Sequence, residues 1–373
     1  MMAVKGQQGA GAFSLTRLGV LMAPAPDDPR EAEGVLNPAL VRGRDGNLYL
    51  FARLVAAGNY SRIGISRVIF DAAGEPAGVE RLGVVLEPRE QYELNPWTGG
   101  GVEDPRITFL PSFDRFLMTY TAFSAEGPRI ALAVSADLFE WQRLGLVEFG
   151  PAETDFGGLH NKDAVIFSSL VPDRSGAPSL AMIHRPVFPG SASGEGAEWG
   201  EMDLPGAEPR SRQPHASIWM SYCHTAELAP GLRFDDHRRI LSPRTSWERL
   251  KVGAGTPPIR TPLGWLLFYH GVSGNAARKR LRYAAGAMLL DPERPDRVIY
   301  RSPHPVLSPG LEERTGIVPN VVFPTGLDQR LDIGQPDRID VYFGMADDRI
   351  GVASTRVPAT LPAAAAPAEG LAA

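Results

Sequence analysis

Carboxylates at Glu103, Asp104, Asp163 and Asp347, and cationic or imidazole groups at Arg185, Lys251 and His270, recur at the polar ends of otherwise apolar segments. A carboxyl kept protonated by neighbouring carboxylates is a general acid suited to a leaving oxygen. The arginine, lysine and histidine suit a tetrahedral oxyanion such as phosphate, which arginine binds bidentately and lysine as a point charge. Acid plus anion clamp implies phosphorolysis. A hydrolase needs no clamp; it needs a second carboxylate to activate water, about 6.5 to 9.5 Å from the acid in an inverting enzyme. Taken alone, "EDPR" also reads as a turn, because Asp before Pro starts turns, with Arg106 paired to a neighbouring carboxylate.

For these groups to act together, the chain must bring them to one place. Five segments share one plan, a polar residue beside Pro or Ala, an apolar strand, a turn and an aromatic-rich strand: "NPALVRGRDGNLYLFAR", "EDPRITFLPSFDRFLMTYTAF", "KDAVIFSSLVPDRSGAPSLAMIHRP", "GTPPIRTPLGWLLFYHG" and "PNVVFPTGLDQRLDIGQPDRIDVYFGMAD". Each reads as a hairpin, with turns such as Arg44 to Asn47 and Pro262 to Gly264 between β-branched and aromatic runs. Further strand-like pieces such as "RIGISRVIF" and "RLRYAAGAMLL" follow most of them. Four strands repeated five times predict an all-β, five-bladed β-propeller with its active site in the central channel. The last unit lacks an outer strand after "RIGVAS", and "FSLTRLGVLM" near the N-terminus is expected to supply it.

In that arrangement the channel collects Asn37, Arg53, Glu103, Asp104, Arg106, Lys162, Asp163, His184, Arg185, Lys251, Tyr269, His270, Asn320 and Asp347. So many polar groups at strand ends are costly to bury without mutual use. The propeller is expected over residues 13–356, with 1–12 a disordered N-terminus and the Ala/Pro-rich 357–373 a disordered tail. Residues 189–216, too polar and too rich in Gly and Pro for a blade strand, read as an inserted loop, either a lid over the channel or decoration.

Composition narrows the partners. A net charge of -5 without a Lys/Arg block carries no electrostatic footprint for nucleic acid or an anionic membrane. No run approaches the ~20 apolar residues that span a bilayer, and the N-terminal stretch lacks a signal peptide's apolar core, so the cytoplasm is the expected location. Cys223, the single cysteine, excludes an internal disulfide and a Cys-rich zinc site and reads as a small buried hydrophobe. Phosphate-loop, dinucleotide, nucleophile-elbow and H-E-x-x-H patterns are absent, which argues against nucleotide, serine-hydrolase and zinc chemistry. No cofactor or metal is expected, and homo-oligomerisation is left open.

"NPA" with its downstream arginine, "GVEDPRIT", "KDAVIF", "HRP", "VGAGTPPI" followed by "GWLLFYHGV", and "YFGMADDRIGVA" together resemble glycoside hydrolase family 130, the β-mannoside phosphorylases and related β-1,2-mannosidases. The resemblance implies the same five-bladed propeller and an inverting reaction of a β-mannoside oligosaccharide with inorganic phosphate, giving α-mannose 1-phosphate reversibly. It makes Asp104 the catalytic acid, protonating the glycosidic oxygen through a sugar hydroxyl. Asn37, Arg53 and Asp347 match positions that hold the mannosyl unit, and Arg185, Lys251 and His270 match the phosphate-binding set. Glu103, Lys162, Asp163 and Tyr269 complete the expected substrate-binding lining. The family's hydrolytic branch lacks the phosphate set, so its presence here favours the phosphorylase. The rivals are an inverting β-mannosidase, with Glu103 or another channel carboxylate activating water, and a non-catalytic carbohydrate-binding propeller. Met345 and Asp348 depart from the family's usual ending, and the 189–216 insertion bears on the acceptor side.

Overall fold

The computed structural model describes residues 12–97, 99–151, 156–188, 216–275 and 280–361. Each predicted hairpin forms the inner pair of a blade. The first blade runs Val35–Arg42, Leu48–Ala56, Tyr60–Phe70 and Pro76–Leu86, and the second Gly100–Leu110, Arg115–Ser124, Gly127–Ser135 and Gln142–Leu146. The third is His160–Ile166, Pro178–Val187, Ile218–Cys223 and Arg233–Leu241; the fourth is Lys251–Ala254, Gly264–Asn275, Arg280–Leu290 and Val298–Arg301. The fifth has Val322–Gln329, Arg338–Met345 and Arg349–Arg356, and its outer strand is Thr16–Met22 from the N-terminal end of the chain. That strand pairs antiparallel with Arg349–Arg356, as the sequence predicts, so the ring is closed by strands from its two ends.

Residues alternate between the two faces of a strand, and each blade therefore feeds two apolar layers. Among the described residues five buried clusters result, one in every gap. Phe51 and Ile65 meet Ile107 and Met118 between blades one and two, while Leu117 and Ile130 meet Ile166 and Met182 in the next gap. Ile183 and Met220 meet Leu267 and Met288, and Leu266 and Phe268 meet Val341 and Phe343. Leu40 and Leu50 pack on Tyr342 and Val352 from blade five, which closes the circle. Burying a leucine fully in such a layer contributes about 1.5 to 3 kcal/mol. Cys223 lies buried in the layer between blades two and three.

Two boundaries differ from expectation. The ordered chain continues past Arg356: the Val357 N–H donates to Asp337 O at 2.7 Å, and Val357 and Leu361 pack on the layer between blades four and five, as does Ala12. Apolar side chains inside an Ala/Pro-rich segment thus extend the core. The second blade's inner strand starts at Gly100, ahead of the "EDPR" stretch with which the repeat plan opens that unit. Gly100 and Gly101 pair in parallel with Tyr60 and Ser61 of blade one, at φ of +129° and +111°. A Cβ on Gly101 would sit 2.3 Å from Ser61 O, so only glycine lets the two blades approach there. The inserted loop at 189–216, expected as either a lid or decoration, falls, except for Ala216, outside the described residues.

Candidate active site

One backbone device aims the polar residues. In the first three blades the inner strand carries a bulge in which two residues oppose one: Asn37 and Pro38, Asp104 and Pro105, and Asp163 and Ala164. The first residue of each pair is left-handed, with φ of +43°, +50° and +57°. Asn and Asp tolerate that conformation better than other side chains, and a bulge accommodates the proline that a regular central strand would reject. In blade four Gly255 and Thr256 both donate their N–H to Phe268 O, the same two-against-one arrangement. In blade five, Asp347 occupies the turn after Arg338–Met345, where Ala346 and Asp347 have φ of +50° and +48° and Asp348 N–H closes onto Met345 O.

These bends bring Asp104 against its neighbours from blade one. Asn37 Nδ2 donates to Asp104 Oδ1 at 2.8 Å, and Arg53 Nη1 donates to the same oxygen at 3.3 Å. Arg53 Nη2 also donates to Glu103 Oε1 at 2.8 Å and its Nε to Ser61 Oγ at 2.8 Å, while Lys162 Nζ lies 4.0 Å from Glu103 Oε2 and over the Phe123 ring. Burial alone would lower the Arg53 pKa, but Glu103, Asp104 and Asp347 together hold it above its ordinary value.

A second group is built on Asp163. Its Oδ2 accepts from Arg185 Nε at 2.6 Å and lies 3.7 Å from His270 Nε2. Gly253, which pairs with His270, leaves just enough room: a Cβ there would meet Asp163 Oδ2 at 2.2 Å and His270 Cε1 at 2.4 Å. His270 also packs on Phe323, ring centroids 4.4 Å apart, and faces Tyr283, over whose ring Lys251 Nζ sits at 5.3 Å. Burial pushes the His270 imidazole down to about 3; Asp163 opposes this, and Arg185, Lys251 and Arg106 reinforce it. The ring is therefore neutral at pH 7, which leaves Arg185 and Lys251 as the charges that would meet an anion.

Asp347 joins the two groups. Burial pushes its carboxyl up to about 6; Arg53 and Lys251 pull it down, Asp104 and Glu103 push it up. Arg53, Asp104 and Glu103 from one group and Lys251 from the other are thus all within electrostatic reach of this carboxyl. Asn37 Oδ1 and His270 Nδ1 are buried with no hydrogen-bond partner among the described residues, which is costly unless a ligand or solvent group answers them. A separate cavity of about 420 Å³, lined by Trp247, Arg282 and His304 among others, holds none of these residues.

Two expected members of the channel stand elsewhere, and a third, Arg106, stands at the site without the carboxylate partner expected of it. Tyr269 is fully buried in the apolar layer between blades three and four, where its hydroxyl donates to Glu248 Oε2 at 3.1 Å and accepts from Arg301 Nε at 3.3 Å. It neighbours His270 in a strand and so points to the other face. His184 lies in an aromatic pocket inside blade three, linked to Asn161 and, through Ser221, to His237. Arg106 is buried and bonds to main-chain carbonyls rather than to a carboxylate. Conversely, sequence reading passed over Phe323 and Tyr283, the rings that hold His270 and Lys251. Their signal was weak: each is one aromatic in an otherwise ordinary strand-like run.

A closed five-bladed propeller that concentrates carboxylates and cations where its inner strands bend is built for carbohydrate and anion chemistry. The chain belongs to glycoside hydrolase family 130, whose model, described as beta-1,4-mannooligosaccharide phosphorylase, it matches over residues 20–361. It is 31% identical to the 1,2-beta-oligomannan phosphorylase of Thermoanaerobacter sp. (strain X514), across 89% of this chain and 93% of that protein. It is also 31% identical to the Beta-1,4-mannooligosaccharide phosphorylase of Ruminococcus albus, across 74% of this chain and 68% of that one. The crystallised Beta-1,2-mannobiose phosphorylase of Listeria innocua, in its beta-1,2-mannobiose complex, superimposes with a TM-score of 0.67 at 22% identity, covering 92% of this chain and 97% of its own. That likeness establishes the shared fold. The protein is an enzyme, a glycoside phosphorylase.

Proposed function

We propose that Asp104 is the proton donor and that Arg185, Lys251 and His270 bind the attacking phosphate. The observation that carries this reading is the geometry of the two groups: Asn37 and Arg53 close on Asp104, while Asp163 holds Arg185 at 2.6 Å and lies 3.7 Å from His270. The Asp104 proton passes through a hydroxyl of the bound mannosyl unit to the glycosidic oxygen, and the C1–O bond breaks. A phosphate oxygen bonds to C1 from the opposite face, inverting it. Arg185, oriented by Asp163, supplies a fork to two phosphate oxygens and Lys251 a point charge; neutral His270 supplies a hydrogen bond. Asn37, Arg53 and Asp347 hold the mannosyl unit, with Glu103, Lys162 and Asp163 as supports. Tyr269 has no part in binding.

We assign the substrate as a β-1,2-linked mannooligosaccharide. Two relatives that this chain covers over 93% and 97% of their length are named for β-1,2 linkages, as is a third covered over 58%; one relative named for a β-1,4 linkage is covered over 68%. Phosphate is the co-substrate, with no further cofactor, and the cytoplasm, where a sugar phosphate is retained, is the site of action. The test is to incubate β-1,2-mannobiose with and without phosphate and follow mannose 1-phosphate. Equal turnover without phosphate, releasing only free mannose, overturns the phosphorolytic reading; full turnover by Asp104→Asn overturns the acid assignment.

A further inference from the structure

Arg106 is 2% exposed, and burial pushes its pKa below the ordinary arginine value despite Asp104 and Asp163. Desolvating a guanidinium this far is costly, and a core contact alone would be made more cheaply by an apolar side chain. What arginine adds is a planar fork of donors. Nη1 donates to Asp104 O at 2.8 Å and to Pro105 O at 3.2 Å, so it grips both residues of the bulge that carries the proposed acid. Nε donates to Gly255 O at 2.6 Å, in the bulge that follows Lys251–Ala254 of blade four. The guanidinium also lies over Phe323, whose ring packs on His270. One side chain therefore ties the acid's backbone in blade two to the backbone and ring that seat Lys251 and His270, although a whole blade separates them in the chain.

We infer that Arg106 is a positioning residue that sets the separation between the proton donor and the bound phosphate. This rests on the assignment of Asp104 as the acid. Asp104 is left-handed, and a backbone held in such a conformation persists only where its surroundings over-determine it; the two carbonyl contacts from Arg106 do so. Lysine keeps the charge and loses the fork, whereas methionine keeps much of the volume and loses the charge.

The experiment compares Arg106→Lys and Arg106→Met, alone and combined with Asp104→Asn, measuring thermal unfolding and steady-state release of mannose 1-phosphate from β-1,2-mannobiose and phosphate. Misplacing a catalytic group by about 1 Å costs about 100-fold, so kcat is expected to fall about 100-fold in both single variants, with KM for phosphate little changed. Residues that act as a unit are not additive. In the Asp104→Asn background, Arg106→Met should therefore cost nothing further. Wild-type kcat in either folded single variant overturns the inference, and so does a full second loss on top of Asp104→Asn. Failure of both single variants to fold overturns it too, since Arg106 would then serve stability. A fully active Asp104→Asn variant refutes the acid assignment instead, and is read before any Arg106 variant is made.

Discussion

Asp347→Asn should make the protein more stable at neutral pH while weakening its hold on the mannoside. The carboxyl is pushed from 3.8 to about 6, chiefly by burial. Keeping it ionised at pH 7 then costs the folded state about 3 kcal/mol, at about 1.4 kcal/mol per pH unit. Asp347 is only partly buried, and solvent screening reduces the figure to about 1 to 2 kcal/mol. Because the folded-state pKa lies above the unfolded one, the folded protein binds the proton more tightly; wild-type stability is fully favoured below pH 3.8 and is lost as pH rises through 6. Asparagine mimics the neutral acid, is at ease at the left-handed φ of +48°, and has no charge to lose. The difference in unfolding free energy between variant and wild type should therefore be near zero at pH 3.5, rise through the interval between 3.8 and about 6, and level off above it. Urea unfolding at a series of pH values measures this directly. A variant that is less stable than wild type at pH 7, or whose advantage does not change with pH, refutes the reasoning. Activity should move the other way: losing a charged hydrogen-bonding group of about 1.5 to 3 kcal/mol raises KM for β-1,2-mannobiose by about 10- to 100-fold.

Lys251→Met should raise KM for phosphate by about 10- to 100-fold, through loss of a charged contact of about 1.5 to 3 kcal/mol, and leave KM for the mannoside within experimental error; initial rates at varied phosphate check it. Tyr269→Phe should leave kcat and both KM values unchanged and cost about 1 to 3 kcal/mol of stability, because it strips a buried bond from Glu248 and Arg301. Impaired binding in that variant would return Tyr269 to the channel. Gly101→Ala should destabilise by more than about 1 kcal/mol, since its Cβ would collide with Ser61 O at a φ of +111°; a denaturation midpoint equal to wild type would show that blades one and two do not need that close approach.

The repeat was legible because its physics is local. Alternating apolar residues between turn residues declare hairpins, and five hairpins with flanking strands leave few other ways to bury so many two-faced sheets. The missing outer strand of blade five was legible for the same reason, as a strand-like stretch at the other end of the chain. What failed was the assumption that neighbouring polar residues share a destination. Tyr269 and His270 are adjacent in a strand, so only one of them can face Asp163, and alternation alone would have separated them. The tie from Arg106 to Gly255 could not be read in this way, because it joins a side chain to a carbonyl 149 residues away and has no sequence pattern of its own.

The bulges settle why "EDPR" reads equally well as a turn and as an active-site motif. A strand that stayed regular through residue 104 would leave Asp104 and Pro105 each facing a ladder partner, and the proline could not serve there. With two residues set against Tyr120, the proline falls where no ladder bond is required, and the aspartate takes a left-handed conformation that delivers its carboxyl to Asn37 and Arg53. The same step recurs with different side chains: in blade one it presents an amide that donates to the acid, in blade three a carboxylate that orients Arg185. Turn chemistry and acid chemistry are thus not competing accounts of Asp104. Only a few residue types tolerate the bend, and of those, Asn and Asp also carry a polar group short enough to act within the channel.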